Sequence, residues 1–162
     1  MPESSAAAAV IPPEIVREVA TSCLCLHAQR AARALARLFD GALRPFGLTN
    51  QQFSLLMALN RAEPPSIGAL APFLAMDRTS LTAALKPLAR RGLVEIRSGA
   101  LDRRSRQAAI TPAGVALLAA ALPVWRATHA RLDAALPGEA ARLRAELQQL
   151  QAAAVSLGLE AA

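Results

Sequence analysis

The stretch that decides the fold is Met76–Gly114, MDRTSLTAALKPLARRGLVEIRSGALDRRSRQAAITPAG. Asp77 is a helix cap, and Leu81, Ala84, Leu85 and Leu88 follow at spacings of three and four, which makes one apolar helix face. Thr79, Ala83, Lys86 and Arg90 fall on the opposite face, flanked by Thr82. Gly92, just after Arg90 and Arg91, is a helix stop with cations in the last turn, where the helix dipole favours them. Leu93 to Arg97 and Arg106 to Ile110 then read as two short strands around a long tip, Ser98 to Asp102. Thr111-Pro112 opens a new helix with a cap and a proline at its first position. Pro87 interrupts the pattern: it removes one backbone hydrogen bond and predicts a kink or an early end to the regular helix.

Charge concentrates in the same place. Arg78, Lys86, Arg90, Arg91, Arg97, Arg103, Arg104 and Arg106 stand against Asp77, Glu95 and Asp102, a balance of +5 in a chain whose total is +6. A module that gathers its positive charge on one helix and one hairpin has the electrostatic footprint of a nucleic-acid binder. Thr79 and Thr82 are short enough to meet base edges or thymine methyls, while Arg78, Lys86 and Arg90 suit phosphates or guanine. Arg97, Arg103, Arg104 and Arg106 put further cations on the hairpin. Arg104 is long enough for a narrow minor groove, with Asp102 placed to orient it by a charge pair.

Working outward, Pro12-Pro13 marks a boundary, with residues 1–12 read as a mobile tail. One long helix is expected from there to about Leu43, ended by Pro45 and Gly47. Thr49-Asn50-Gln51-Gln52 is a capping box that opens a second helix to about Ala62. Pro64-Pro65 breaks it, and Ser66 caps a short third helix, Ile67 to Leu74. After the hairpin, a helix from Thr111 to about Ala135, bent at Pro123, and another from Glu139 to about Leu157 complete the chain. The expected class is therefore mostly α with a small β-hairpin. Long terminal helices cannot bury their apolar stripes on so small a central module, and a partner subunit would cover them.

Other classes find little support. The sequence holds no HExxH, no CxxC pair and no phosphate-binding glycine loop, and only two histidines, so no catalytic or metal constellation assembles and no cofactor is expected. The most apolar run, Val115 to Trp125, is too short to span a bilayer as a helix. The N-terminus has no basic region ahead of an apolar one, so it is not read as a signal peptide, and a cytoplasmic protein with reduced cysteines is expected.

The order of three helices and a basic hairpin, flanked by further helices, resembles the winged helix-turn-helix regulators of the MarR family. The resemblance covers roughly Cys23 to Leu136 and is carried by MDRTSLTAALKPLARRGLVEI from Met76, by the wing pattern of Asp102, Arg104, Ile110 and Thr111, and by GLTNQQFSLLMAL. Pro87 departs from it, since many relatives carry an ordinary helix former there. The resemblance implies a single domain over 13–160, with a winged helix-turn-helix core at about 48–111 and dimerisation helices at about 13–44 and 112–157. It also implies a homodimer on a pseudo-palindromic double-stranded DNA operator, with the fourth helix in the major groove and the wing on the backbone and adjacent minor groove. Repression is the expected direction. A sequence-neutral architectural DNA binder is the contrasting reading; a regulator would favour its operator by about 10³-fold or more over other DNA.

Two regulatory inputs are open. Trp125, His129, Phe39, Phe53 and His27 either pack as ordinary core or line a cavity of the kind that, in many relatives, takes small aromatic acids or lipophilic compounds. Cys23-Leu24-Cys25, with His27 one turn on, is similar to the first-helix cysteine motif of organic-hydroperoxide sensors in the same family, with Cys23 in the sensing position. Those sensors surround the thiol with tyrosines, and this chain has none, which leaves His27 as the group available to activate it. The bland alternative is a pair of small buried apolar residues. An internal Cys23–Cys25 disulfide would need the expected helix to unwind, because residues two apart on a helix diverge.

Overall fold

The computed structural model describes residues 11–98 and 106–160. Asp102, Arg103 and Arg104, expected at the hairpin tip, lie outside the described residues. The chain forms two compact units, one ending at Leu38 and the other beginning at Phe39.

The N-terminal unit holds α1 (Pro13–Ser22) and most of α2 (Leu24–Leu43). The single helix expected from 13 to 43 is thus two, broken at Cys23, whose ψ of 104° is extended. Two hydroxyls crowd the turn before it: Thr21 Oγ1 donates to the Arg17 and Glu18 carbonyls and Ser22 Oγ to the Glu18 carbonyl, back-bonding that slightly destabilises and bends a helix. Cys23 then begins α2, its carbonyl accepting from His27 N and its Sγ from Leu26 N at 3.4 Å.

The second unit is built around the central stretch. A short 3₁₀ turn (Arg44–Phe46) leads into α3 (Asn50–Leu59), where Thr49 and Gln52 form the expected capping box in both directions. Asp40 Oδ1 adds a second cap by accepting from Asn50 N at 2.7 Å. α4 (Ile67–Phe73) is capped by Ser66, and α5 (Arg78–Arg90) by Asp77. β1 (Val94–Ser98) and β2 (Arg106–Ile110) pair antiparallel with Val94 opposite Ile110 and Ser98 opposite Arg106. Pro65 O accepts from Ala108 N, and Ser66 bridges Gln107, so the segment before α4 docks on β2. α6 (Pro112–Ala134) and α7 (Ala140–Glu160) follow, and a two-oxygen ion pair from Arg144 to Asp133 joins them.

The core gathers Phe53, Leu56 and Leu59 of α3, Leu70 of α4, Leu81, Leu85 and Leu88 of α5, Leu118 of α6, and Val94 and Ala108 of the hairpin. No helix among the described residues is long and apolar enough to cross a membrane.

Pro87 does not end α5, which continues to Arg90. Its exit is a Schellman motif: Gly92, at φ +69°, donates to the Ala89 carbonyl, and Leu93 donates to that of Leu88. α4 ends the same way, with Ala75 N bonded to the Pro72 carbonyl and Met76 N to that of Ala71, but the left-handed residue is Ala75 at φ +50°. A Cβ there opposes the conformation at a cost of about 1–2 kcal/mol. Ala75→Gly is therefore expected to raise unfolding free energy by about 1 kcal/mol, less what glycine's greater freedom in the unfolded chain takes back. Urea titration of both chains measures it, and a destabilised variant would contradict the strained turn.

Candidate nucleic-acid interface and adjoining cavity

α5 is gripped on one side and open on the other. Leu81, Leu85 and Leu88 are wholly buried, whereas Arg78, Thr79, Ala83, Lys86 and Arg90 are exposed and Thr82 is half-buried. Arg78, Thr79, Thr82, Ala83 and Lys86 line a shallow concavity of about 310 Å³ along the open face. Thr82 Oγ1 donates to the Arg78 carbonyl at 2.7 Å. Its hydroxyl hydrogen is spent on the backbone, so it offers outward only acceptor lone pairs and a methyl group.

Asp77 fixes the start of this helix. Its Oδ1 accepts from Ser80 N at 2.8 Å and its Oδ2 from Ser80 Oγ at 2.6 Å, and these bonds hold its carboxyl below the usual value of 3.8. The charge therefore stays in place near neutral pH.

On the hairpin, Arg97 and Arg106 are exposed. Arg97 is not a free cation, because its Nε and Nη2 both donate to Glu95 Oε2, at 2.9 and 2.5 Å. The two residues sit two apart on one strand, hence on the same face. That spacing was visible in the sequence. Arg91 lies outside the predicted DNA-facing set, and its guanidinium turns inward to the carbonyls of Gly47 and Phe46. Nothing in the sequence signals a partner so far away along the chain.

The expected aromatic set divides. Phe39, in the part of α2 that belongs to the second unit, meets His129 at 4.5 Å between ring centroids; His129 meets Trp125 at 4.2 Å, and Trp125 stacks on Phe53 at 5.8 Å. Beyond this row lies a cavity of about 420 Å³, lined by Phe53, Ser54, Met57, Arg61, Phe73, Leu122 and Trp125 among others. Phe53 and Trp125 thus line it, while Phe39 and His129 stand in the ring row outside its lining. Sequence reasoning did not identify Arg61, the one charged residue of the lining. Its guanidinium sits 4.9 Å over the Phe73 ring while its Nε donates to the Ala58 carbonyl. His27 belongs to the N-terminal unit, exposed, with its Nε2 3.2 Å from the Thr21 carbonyl oxygen. Cys23 is half-buried and Cys25 exposed, both as free thiols, and Cys25 Sγ accepts from Gln29 Nε2. No group of three or more potential metal ligands occurs among the described residues.

The MarR family profile matches residues 46–105, which span the helix-turn-helix and β1 and end just before β2. Among solved structures, the chain is similar to the transcriptional regulator MosR of M. tuberculosis in complex with DNA. Identity is 38%, the match covers 83% of this chain and 98% of that one, and the TM-score is 0.77. It is also similar to the transcriptional repressor CouR bound to a 23-mer DNA duplex, at 29% identity, 84% and 95% coverage and a TM-score of 0.69. Among curated proteins, the transcriptional activatory protein BadR of Rhodopseudomonas palustris is 35% identical over 88 residues. That match takes in 52% of this chain and spans about half (50%) of BadR.

One titration follows from the ring row. Burial lowers the pKa of His129 below its ordinary 6.5; the Asp133 carboxylate opposes that shift and the Arg144 guanidinium adds to it. A histidine harder to protonate when folded means that the native state binds fewer protons than the unfolded state. Its contribution to stability is complete above the unfolded pKa and is lost as pH falls through 6.5 towards the folded value. Urea midpoints should therefore drop between about pH 7.5 and about pH 5.5, and drop less in His129→Asn. An identical slope in both chains would remove His129 as the source.

Proposed function

The chain belongs to the MarR family of winged helix-turn-helix transcriptional regulators and binds DNA, and from that premise we propose that it is a repressor released from its operator by a small lipophilic or aromatic ligand. The observation that carries the reading is the pairing of an open, cation-bearing face on α5 with an apolar cavity beside Trp125 in the same unit. MosR and CouR, each solved with DNA, support the first half. The family is one of regulators and not of enzymes. In this reading α5 enters the major groove of a pseudo-palindromic operator. Thr79 and Thr82 meet bases, and Arg78, Lys86 and Arg90 meet phosphate or guanine. Arg97, Arg103, Arg104 and Arg106 follow the backbone and minor groove, with Asp102 orienting Arg104.

The operator's two-fold symmetry calls for a homodimer. Support comes from Leu143, Leu147, Leu150 and Leu157 of α7, all exposed at alternating spacings of four, three and seven, and from Ile15, Val16 and Val19, exposed on α1. Apolar rows of this kind mark an interaction surface. Leu147→Glu with Leu150→Glu is expected to leave a monomer in sedimentation, with affinity for the palindrome falling to that for a half-site. A dimer that persists and still binds the whole palindrome would refute this interface.

For the effector, the lining is apolar except at a few points, and Arg61 is the group suited to a carboxylate. Trp125 is the only tryptophan of the chain, so its emission reports on the cavity. A panel of small lipophilic compounds and aromatic acids is expected to contain members that both release DNA in a gel shift and alter Trp125 emission. Arg61→Ala should weaken the acids by about 10-fold while sparing the neutral compounds. Compounds that release DNA without touching that emission would place the effector elsewhere.

A second reading is favoured by one observation: Cys23 stands at the break before α2 with Leu26 N aimed at its Sγ. If this thiol is the sensor, organic hydroperoxide releases DNA, thiol reductant restores binding, and Cys23→Ser abolishes the response. The same Cys23→Ser chain retains its answer to a cavity ligand if that ligand is the input.

A further inference from the structure

We propose that Arg91 is a positioning residue that holds α5 in its reading pose and is not one of the cations offered to DNA. The proposal rests on α5 being the helix that reads bases. By sequence Arg91 belongs to the same basic run as Lys86 and Arg90. In the fold it is the C-cap of α5, and its side chain leaves that run: Nη1 donates to the Gly47 carbonyl at 2.7 Å and Nη2 to the Phe46 carbonyl at 3.4 Å. Lys86 and Arg90 make no side-chain hydrogen bond to any described residue.

The acceptors are not incidental loop oxygens. Gly47 N bonds to the Arg44 carbonyl and Leu48 N to that of Leu43, so the turn continues the last turn of α2 and presents the carbonyl end of that helix. Such an end carries partial negative charge, and a guanidinium there makes charge-assisted bonds. The turn is itself anchored: Asp40 caps α3 through Asn50 N, and the Phe39 ring lies against His129. Arg91 therefore ties the far end of α5 to a fixed point in the same unit, while Asp77 fixes the near end.

Gly47 matters to this contact through its backbone: its φ of +62° disfavours a side chain, so a Cβ there strains the turn that presents the two carbonyls, while itself meeting Arg91 Nη2 only at an ordinary 3.4 Å. A planar fork that reaches two carbonyls is also a geometry that lysine, a point charge, does not reproduce.

The test compares Arg91→Ala, Arg91→Lys and Gly47→Ala with the native chain and with Lys86→Ala. Each is measured across a salt series against a duplex enriched by the native chain from a randomised pool, and against the unselected pool. Positioning predicts that all three variants lose about 10-fold or more of the preference for the selected duplex, as when one good base contact is misaligned. Their salt dependence on the unselected pool should stay native. Gly47→Ala is the sharpest arm, because it removes no charge, and it and Arg91→Lys carry the test if Arg91→Ala folds poorly by circular dichroism. Lys86→Ala is expected to lower the log–log salt slope by about 0.9. The proposal is overturned if Arg91→Lys and Gly47→Ala keep the native preference, or if Arg91→Ala loses about 0.9 of slope with its preference intact, which is the signature of a phosphate contact. A Lys86→Ala chain with native slope and preference would instead overturn the reading of α5 as the DNA helix, and the two failures are thereby told apart.

Discussion

A helix whose one face is left open must be held entirely from the other. That constraint organises the second unit around α5. Leu81, Leu85 and Leu88 have no solvent exposure and lie in one core cluster with leucines of α3 and α4 and with Val94 and Ala108 of the hairpin. Burial of three whole leucine side chains contributes several kcal/mol, so the dry face seats α5 on the core and leaves its fine alignment to the polar groups at its ends. The ends are then trimmed by polar groups: the Asp77 carboxylate at one, the Gly92 turn and the Arg91 fork at the other. With both ends and one face committed, the remaining face is free to carry cations that no core would accept.

The devices that govern single elements were legible in the sequence, because their chemistry is local. The Thr49–Gln52 capping box, the Ser66, Asp77 and Thr111 caps and the Gly92 stop each depend on residues within one turn, and each sits where the residue types require. The apolar period of α5 likewise separated its buried from its exposed face. What escaped was set by competition or by distance. Thr21 and Ser22 look harmless in a helical pattern, yet their hydroxyls accumulate on the Arg17 and Glu18 carbonyls and the helix stops at Cys23. Ala75 takes a left-handed turn that residue preferences would give to glycine. The Arg91 contacts join points more than forty residues apart, and no period or motif encodes them. The aromatic set was found as a group, but sequence alone could not tell a wall from the layer behind it. Phe53 and Trp125 face the cavity, whereas Arg61, an unremarkable cation in the sequence, lies at it.

The second unit thus holds two surfaces of opposite character. One is basic and shallow, built on helix positions whose backbone is fixed. The other is apolar and deeper, walled by α3, the end of α4 and α6. α3 contributes Phe53 to both the cavity wall and the core cluster that holds the buried leucines of α5.

In the proposed docking, the Glu95–Arg97 pair on the hairpin would have a kinetic meaning. An arginine that already has a carboxylate for company must exchange partners before it can grip a phosphate, so a passing duplex gains little from it. In the proposed docking this pairing would weaken the hold of β1 on DNA of any sequence, and residence would depend on contacts formed only when the α5 face meets matching bases.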